Sequence, residues 1–183
     1  NKKYLLESRL MKRMSFLNIT TYEEYYNYVR YHPSRISELK YLYEVITINE
    51  TFFFRNQPQL DALIATVLPP ILEEKRKQGK NKIKIWSAAS SSGEEAYSVS
   101  IMINEFIKPK YPEFEFEIVG TDISQAMIDT AKKGAYREYS IRNTPPYYLK
   151  KYFKSDGTTF EVDEKTKRGV SFRILNLYDD LSM

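Results

Sequence analysis

The chain has no cysteine, which excludes a disulfide framework, a thiolate zinc site and a cysteine nucleophile, and fits a reducing compartment. His32 is the only histidine, so no scheme that needs several imidazoles can be built. No apolar run approaches the ~20 residues that a membrane span requires, and Asn1-Lys2-Lys3-Tyr4 has no apolar signal core behind it. There are no internal repeats and no low-complexity segments. What remains is 183 residues, 42% hydrophobic and 28% charged, enough for one full domain or two small ones. At this length roughly 70% of the unfolded surface can be buried, so packing alone can hold the fold. These features read as a soluble, intracellular protein.

The formal charge of +4 is local. Residues 1–20 carry Lys2, Lys3, Arg9, Lys12 and Arg13 against Glu7 alone, which equals the whole net excess. A basic face suggests an anionic partner, with nucleic acid, acidic protein and lipid headgroups all allowed; the alternative is a solvated helix face.

The first third reads as helical. Leu6, Leu10, Met14 and Leu17 recur at helical spacing with the cations between them. Thr21 with Glu24 three residues later is a capping-box signature, so a second helix should start near Tyr22 and stop before Pro33. A third should run from Ser34 to Ile46, and a fourth from Pro58 through Leu60, Leu63, Ile64, Val67 and Leu68, with Pro69 and Pro70 interrupting it. Glu73 to Lys84 reads as a connection, which places a helical domain at 1–73 and a second domain at 74–183.

From Ile83 the pattern alternates. Ile83 to Trp86 reads as a strand, Ser87 to Gly93 as a small-residue loop, and Glu94 to Ile107 as an apolar helix. A second strand, Phe114 to Gly120, ends at Thr121-Asp122, and Ser124 opens another helix. Strand, helix, strand, helix implies a parallel sheet and an α/β fold. Residues 147–172 break the alternation and look like short antiparallel strands inserted before a third core strand.

Three segments carry chemistry. Ser87-Ala88-Ala89-Ser90-Ser91-Ser92-Gly93-Glu94-Glu95 lies at a strand-to-helix turn, where ligands bind in open parallel sheets. There is no Gly-Lys-Ser/Thr, and two carboxylates follow the glycine, so the ligand should carry positive charge or several donors rather than a polyphosphate. A Ser-rich turn whose acids only complement the helix dipole is the other reading. Asp122, ending the second strand, is placed to accept two ribose hydroxyls, although it is also a common helix cap. Asn49-Glu50-Thr51-Phe52-Phe53-Phe54-Arg55-Asn56 holds three consecutive Phe that cannot all face one core, so some should line an interface or cleft.

Asn49-x-Thr51-x-Phe53-Phe54-Arg55, Trp86-Ser87-Ala88-Ala89-Ser90-x-x-Gly93-Glu94-Glu95-x-Tyr97-Ser98, Gly120-Thr121-Asp122-Ile123 and Gly134-x-Tyr136 together resemble the chemotaxis receptor methyltransferases of the CheR type. The resemblance covers essentially the whole chain. It implies an N-terminal all-helical domain followed by part of a Rossmann-like (class I) methyltransferase domain with a small antiparallel β insertion. It also implies an enzyme that uses S-adenosylmethionine, releases S-adenosylhomocysteine, and methylates glutamates on the cytoplasmic helices of chemoreceptors. The expected location is the cytoplasm, with no nucleic-acid partner and no insertion into the membrane.

Carried over by position, the resemblance places Asn49, Thr51 and Arg55 at the cofactor and methyl-transfer cleft. It gives Gly93, Glu95 and Asp122 to the cofactor body, and Asn176-Leu177 to the adenine. Arg55 is the expected catalytic group, holding the cofactor carboxylate or orienting the partners. Lys2, Arg9, Lys12 and Arg13 acquire an acidic receptor helix as their target. Ala96 stands where the family usually has Pro, and the chain reaches Met183 where the family continues into a strand that completes the pocket, so a C-terminally incomplete domain is expected. A non-catalytic cofactor-binding or partner-docking adaptor of the same fold is the rival reading.

Overall fold

The structure, a computed structural model, describes residues 2–47 and 49–178, and of Lys2, Lys3 and Leu5 the backbone alone. The chain forms two compact units, Asn1–Ile48 and Asn49–Met183.

The first unit is helical: α1 spans Lys2–Phe16, α2 Tyr22–Tyr31 and α3 Arg35–Ile46. α1 ends where Asn18 takes a left-handed backbone (φ 55°), and the Ile19 N–H closes back onto the Met14 carbonyl at 2.9 Å. The capping box is formed: Thr21 accepts from the Glu24 N–H, and the Glu24 carboxylate accepts from the Thr21 N–H. α2 stops at His32, before Pro33. Of the expected apolar stripe on α1, Met14 is buried, joined by Tyr25 from α2. Beside them lies an ion pair: Glu38, 2% exposed, is gripped by both Nε and Nη2 of Arg13 and accepts the Tyr25 hydroxyl at 2.7 Å.

The second unit opens with α4 (Gln57–Ala62), which passes through a widened π-type stretch, Leu63–Val67, into α5 (Leu68–Lys77). Pro69 and Pro70 therefore do not interrupt the helix, contrary to the sequence reading. They lack N–H groups, and a proline ring collides with the carbonyl four residues back. The widened turn, closed by the Leu68 N–H on the Leu63 carbonyl five residues back, relieves that collision. Residues 57–77 pack onto the remainder of this unit: Leu60, Ile64, Leu68 and Leu72 share a core with Tyr97, Ile101 and Ile118. The compact units accordingly part at Ile48/Asn49, not at 73/74.

Next come β1 (Lys82–Ala88), α6 (Glu94–Met102, continued by a π-type turn Ile103–Ile107), β2 (Glu115–Asp122) and α7 (Gln125–Lys133). After these the chain forms β3 (Ala135–Tyr136), α8 (Glu138–Ile141), α9 (Pro146–Tyr152), β4 (Phe153–Ser155), β5 (Phe160–Val162), α10 (Glu164–Lys167) and β6 (Val170–Ile174). β1, β2 and β6 form a parallel sheet with β2 in the middle, in a register that aligns Ser87, Gly120 and Phe172. β3, β5 and β4 form a separate antiparallel sheet. The insertion thus draws its first strand from the Gly134-x-Tyr136 segment, upstream of the expected 147–172, and β6 belongs to the parallel sheet. Two residues of β3 are too short to show alternation in sequence.

Candidate functional site

The carboxyl ends of β1, β2 and β6 converge on Asp122. Its carboxylate, 6% exposed, accepts the Ser91 N–H at 2.8 Å and the Ser124 N–H at 3.0 Å, and its carbonyl accepts the Leu175 N–H at 2.9 Å. One residue therefore fixes the loop after β1, the start of α7 and the exit from β6. Ser124 adds a side-chain cap to α7 through the Met127 N–H.

The turn after β1 needs this clasp. Ala89 (φ 54°) and Ser91 (φ 50°) both take left-handed backbones, a conformation costing of order 1–3 kcal/mol at a non-glycine residue, and Gly93 takes φ 92°. The Ser90 N–H is tied to the Thr121 carbonyl at 2.8 Å, while the Ser90 hydroxyl is buried with no hydrogen-bond partner among the described residues. The glycines here serve packing as well. A Cβ on Gly93 would lie 2.8 Å from Ala131 Cβ and from Phe172 Cζ, and one on Gly120 2.5 Å from two Phe172 ring carbons. Sequence reading assigns the small residues to a ligand; at these two positions protein atoms occupy the space.

The two acids after Gly93 part company. Glu95 is exposed and accepts the Ser87 hydroxyl at 2.6 Å. Glu94 is 1% exposed and has two hydroxyl donors, Ser92 at 2.7 Å and Ser140 on α8 at 2.9 Å. Burial pushes the Glu94 carboxyl above its ordinary pKa, against the pull of those hydrogen bonds.

The Phe-Phe-Arg segment divides its three rings, in keeping with three consecutive Phe that cannot all face one core. Phe53 and Phe54 both enter the core: Phe53 meets Tyr136 and Phe153 edge-on, and Phe54 stacks on Tyr148. Adjacent side chains share one core because Phe54 turns the backbone left-handed (φ 57°). Phe52 is half-buried beneath the Arg142 guanidinium, 3.5 Å from its ring centroid. Arg55 is exposed and donates to the Glu50 carbonyl at 2.7 Å, and the Tyr139 hydroxyl donates to the Glu50 carboxylate.

The structure thus brings several expected residues to one place. The Ser91 hydroxyl lies 3.5 Å from the Asn49 carbonyl, joining that segment to the turn of Gly93 and Glu95 held by Asp122. Thr51 is half-buried on the same segment, and Asn176 and half-exposed Leu177 come just after Leu175, the residue that leaves β6. The expected receptor-binding cations fare otherwise. Arg9 donates to the carbonyls of Val45 and Thr47, and Arg13 is committed to Glu38, so both hold the helical unit together. Lys12 is exposed, and the Lys2 side chain lies outside the described residues. Sequence reasoning misses Glu94 as a buried group, and with it Ser140 and Arg142. The only signal is the position of Glu94 beside Gly93, which reads equally well as dipole complementation.

Among the described residues no cluster of acids and histidine could hold a metal, and no helix is long and apolar enough to cross a membrane.

Comparison with known sequences agrees with this organisation. The family model described as "CheR methyltransferase, all-alpha domain" matches residues 1–47, and "CheR methyltransferase, SAM binding domain" matches residues 49–183. A chemotaxis protein methyltransferase of Borreliella burgdorferi is 35% identical over 98% of this chain and 63% of its own length. Chemotaxis protein methyltransferase 2 of Vibrio cholerae is 32% identical over 97% of this chain and 60% of its own. Chemotaxis protein methyltransferase 1 of Pseudomonas aeruginosa is 34% identical over 98% and 65%. The chain thus spans less than two thirds of the length of these relatives. The SAM binding domain is the unit built around the Asp122 clasp, and the chain belongs to the CheR methyltransferase family.

Proposed function

We propose that the protein transfers the methyl group of S-adenosylmethionine to glutamate side chains of chemotaxis receptors, in chemotaxis adaptation. The observation that carries the reading is the convergence of the Gly93–Glu95 turn and the Asn49–Arg55 segment at the carboxyl end of the parallel sheet, clasped by Asp122. The donor set fits the cofactor. Exposed Glu95 is an acceptor for ribose or a cationic group, and the buried Ser90 hydroxyl has an unused donor. Each Asp122 oxygen keeps a second lone pair beyond its N–H partner.

When bound, the cofactor supplies an electrophilic methyl on a sulfonium. A substrate glutamate, with an ordinary pKa near 4.3, is already an anion at neutral pH and needs no general base. Because such a transfer would cancel the charges of the sulfonium and the carboxylate together, a cleft from which the chain excludes water would favour it over the separated ions. The chain's own residues then have mainly to align the partners. In this reading Glu95 and Asp122 hold the ribose side, Asn176 and Leu177 border the adenine, and Asn49, Thr51 and Arg55 line the transfer cleft. Arg55 orients the reacting groups without gripping the nucleophile, since a tight grip would stabilise the ground state. Lys12, with Lys2, meets the acidic receptor helices, and the reaction belongs in the cytoplasm.

The test is transfer of labelled methyl from S-adenosylmethionine to receptor fragments. Arg55→Ala should lower turnover at saturating cofactor and substrate while helical content stays intact, because Arg55 is exposed. A wild-type protein that binds S-adenosylhomocysteine but never labels receptor glutamates would be an adaptor instead.

A further inference from the structure

The centre of the second unit holds a carboxylate that the transfer reaction does not use. Glu94, at the first position of α6, is almost fully buried with no cation beside it among the described residues: its two oxygens are held by the hydroxyls of Ser92 and Ser140. Each of those serines leads to a wall of the cleft. Ser92 belongs to the turn after β1, and its carbonyl accepts the Tyr136 hydroxyl at 2.7 Å. The carbonyl of Ser140 accepts the Phe53 N–H at 2.8 Å. The backbone of Glu94 makes a second link, since its carbonyl accepts the Ser98 hydroxyl at 2.7 Å, and that hydroxyl accepts the Phe54 N–H at 3.0 Å. Arg55 comes directly after Phe54, and Glu95 is the next residue on the other side.

We propose that Glu94 is a positioning residue that couples the cofactor turn to the Asn49–Arg55 segment, so that the two walls of the cleft are ordered together. This rests on the reading of the site as a methyl-transfer cleft. A hydrophobic residue there would fill the space but leave both serines without acceptors, and a cation would have no acidic partner. A side chain of this length ending in a two-pronged polar group spans the two hydroxyls. The raised pKa of Glu94 is the mark of what burying it costs, which a purely apolar filler would avoid.

Amide hydrogen exchange on the protein tests the coupling, with S-adenosylhomocysteine as probe. Without ligand, Glu94→Ala should speed exchange of the Phe53 and Phe54 amides about tenfold, the factor that ~1.4 kcal/mol makes in a local opening equilibrium. Glu94→Gln, which keeps an acceptor oxygen and an amide facing the two hydroxyls, should restore them. Ser140→Ala, a milder change, should speed Phe53 while core amides such as Ile101 and Ile118 stay slow. Added S-adenosylhomocysteine should slow Phe53 and Phe54 in the wild type but not in Glu94→Ala. Unchanged amides in both alanine variants, acceleration spread evenly over the core, or equal slowing by ligand in wild type and Glu94→Ala would each overturn the coupling. Absence of any S-adenosylhomocysteine binding by the wild type would overturn the cofactor reading instead, and the ligand-free exchange would still decide the coupling.

Discussion

Asp122 is expected from sequence to serve a ribose, and the structure gives it an occupation before any ligand arrives. Asp122→Ala removes two charge-assisted acceptors from the N–H groups of Ser91 and Ser124. Hydrogen bonds to charged groups are worth about 1.5–3 kcal/mol each, so the ceiling is roughly 3–6 kcal/mol. Two effects lower it: water can enter the space left by the carboxylate, and the left-handed Ala89 and Ser91 can relax once the clasp is gone. The net loss should be about 3 kcal/mol, the lower end of that range. For a chain of this size each kcal/mol moves the melting midpoint by roughly 2–4 °C, so ligand-free Asp122→Ala should melt about 6–12 °C below the wild type. Asp122→Asn keeps one acceptor oxygen but turns an amide donor toward an N–H, and should fall between. Scanning calorimetry without ligand, followed by titration with S-adenosylhomocysteine, separates the two roles. A variant that melts within about 2 °C of the wild type and has lost only its ligand would refute the clasp.

The remaining contacts make further predictions. Arg13→Ala leaves Glu38 buried and unpaired, so it should destabilise the helical unit by about 3–5 kcal/mol in a denaturant titration, where a surface receptor contact would cost nothing. Burial pushes the Glu38 carboxyl up, but the Arg13 fork and the Tyr25 hydroxyl outweigh it and hold the pKa below the ordinary value. That stabilisation is therefore present above the unfolded pKa of about 4.3 and lost as pH falls through the lower folded value, so acid unfolding followed by circular dichroism should be displaced in Glu38→Gln. Gly120→Ala should cost about 1–3 kcal/mol by overpacking against Phe172, and Phe172→Leu should recover part of it in the double variant, as read by thermal melting. Lys12→Glu should raise the apparent Michaelis constant for receptor several-fold at low salt and little at about 0.15 M or above, leaving cofactor affinity alone; indifference to salt would remove Lys12 from the docking surface.

What is legible in sequence is what local spacing dictates. Thr21 and Glu24 announce the start of α2 because a capping box needs only residues three apart, and the strand-turn-helix of β1 and α6 shows itself in the change of period. The helix through Pro69 and Pro70 is hidden, because its accommodation lies in a widened turn upstream that no residue type marks. The cations on α1 mislead for a related reason. A charge count sees Arg13 as part of a basic face, whereas its fate is set by Glu38, twenty-five residues on, which only the packing of α1 on α3 brings within 2.6 Å.

Glu94 and Glu95 carry this furthest. In sequence they are one acidic pair, and as a pair they exclude a polyphosphate ligand. On a helix consecutive residues point about 100° apart, so at the first turn of α6 one carboxylate turns inward and the other outward. The outward one keeps the electrostatic character that the sequence suggests and is available to a cationic or hydroxyl-rich ligand. The inward one has two serine donors from different segments and, among the described residues, no charge partner, so its contribution is geometric. Composition gives both the same charge, and only the direction of the helix, fixed by Gly93 packed against Ala131 and Phe172, divides the work between them.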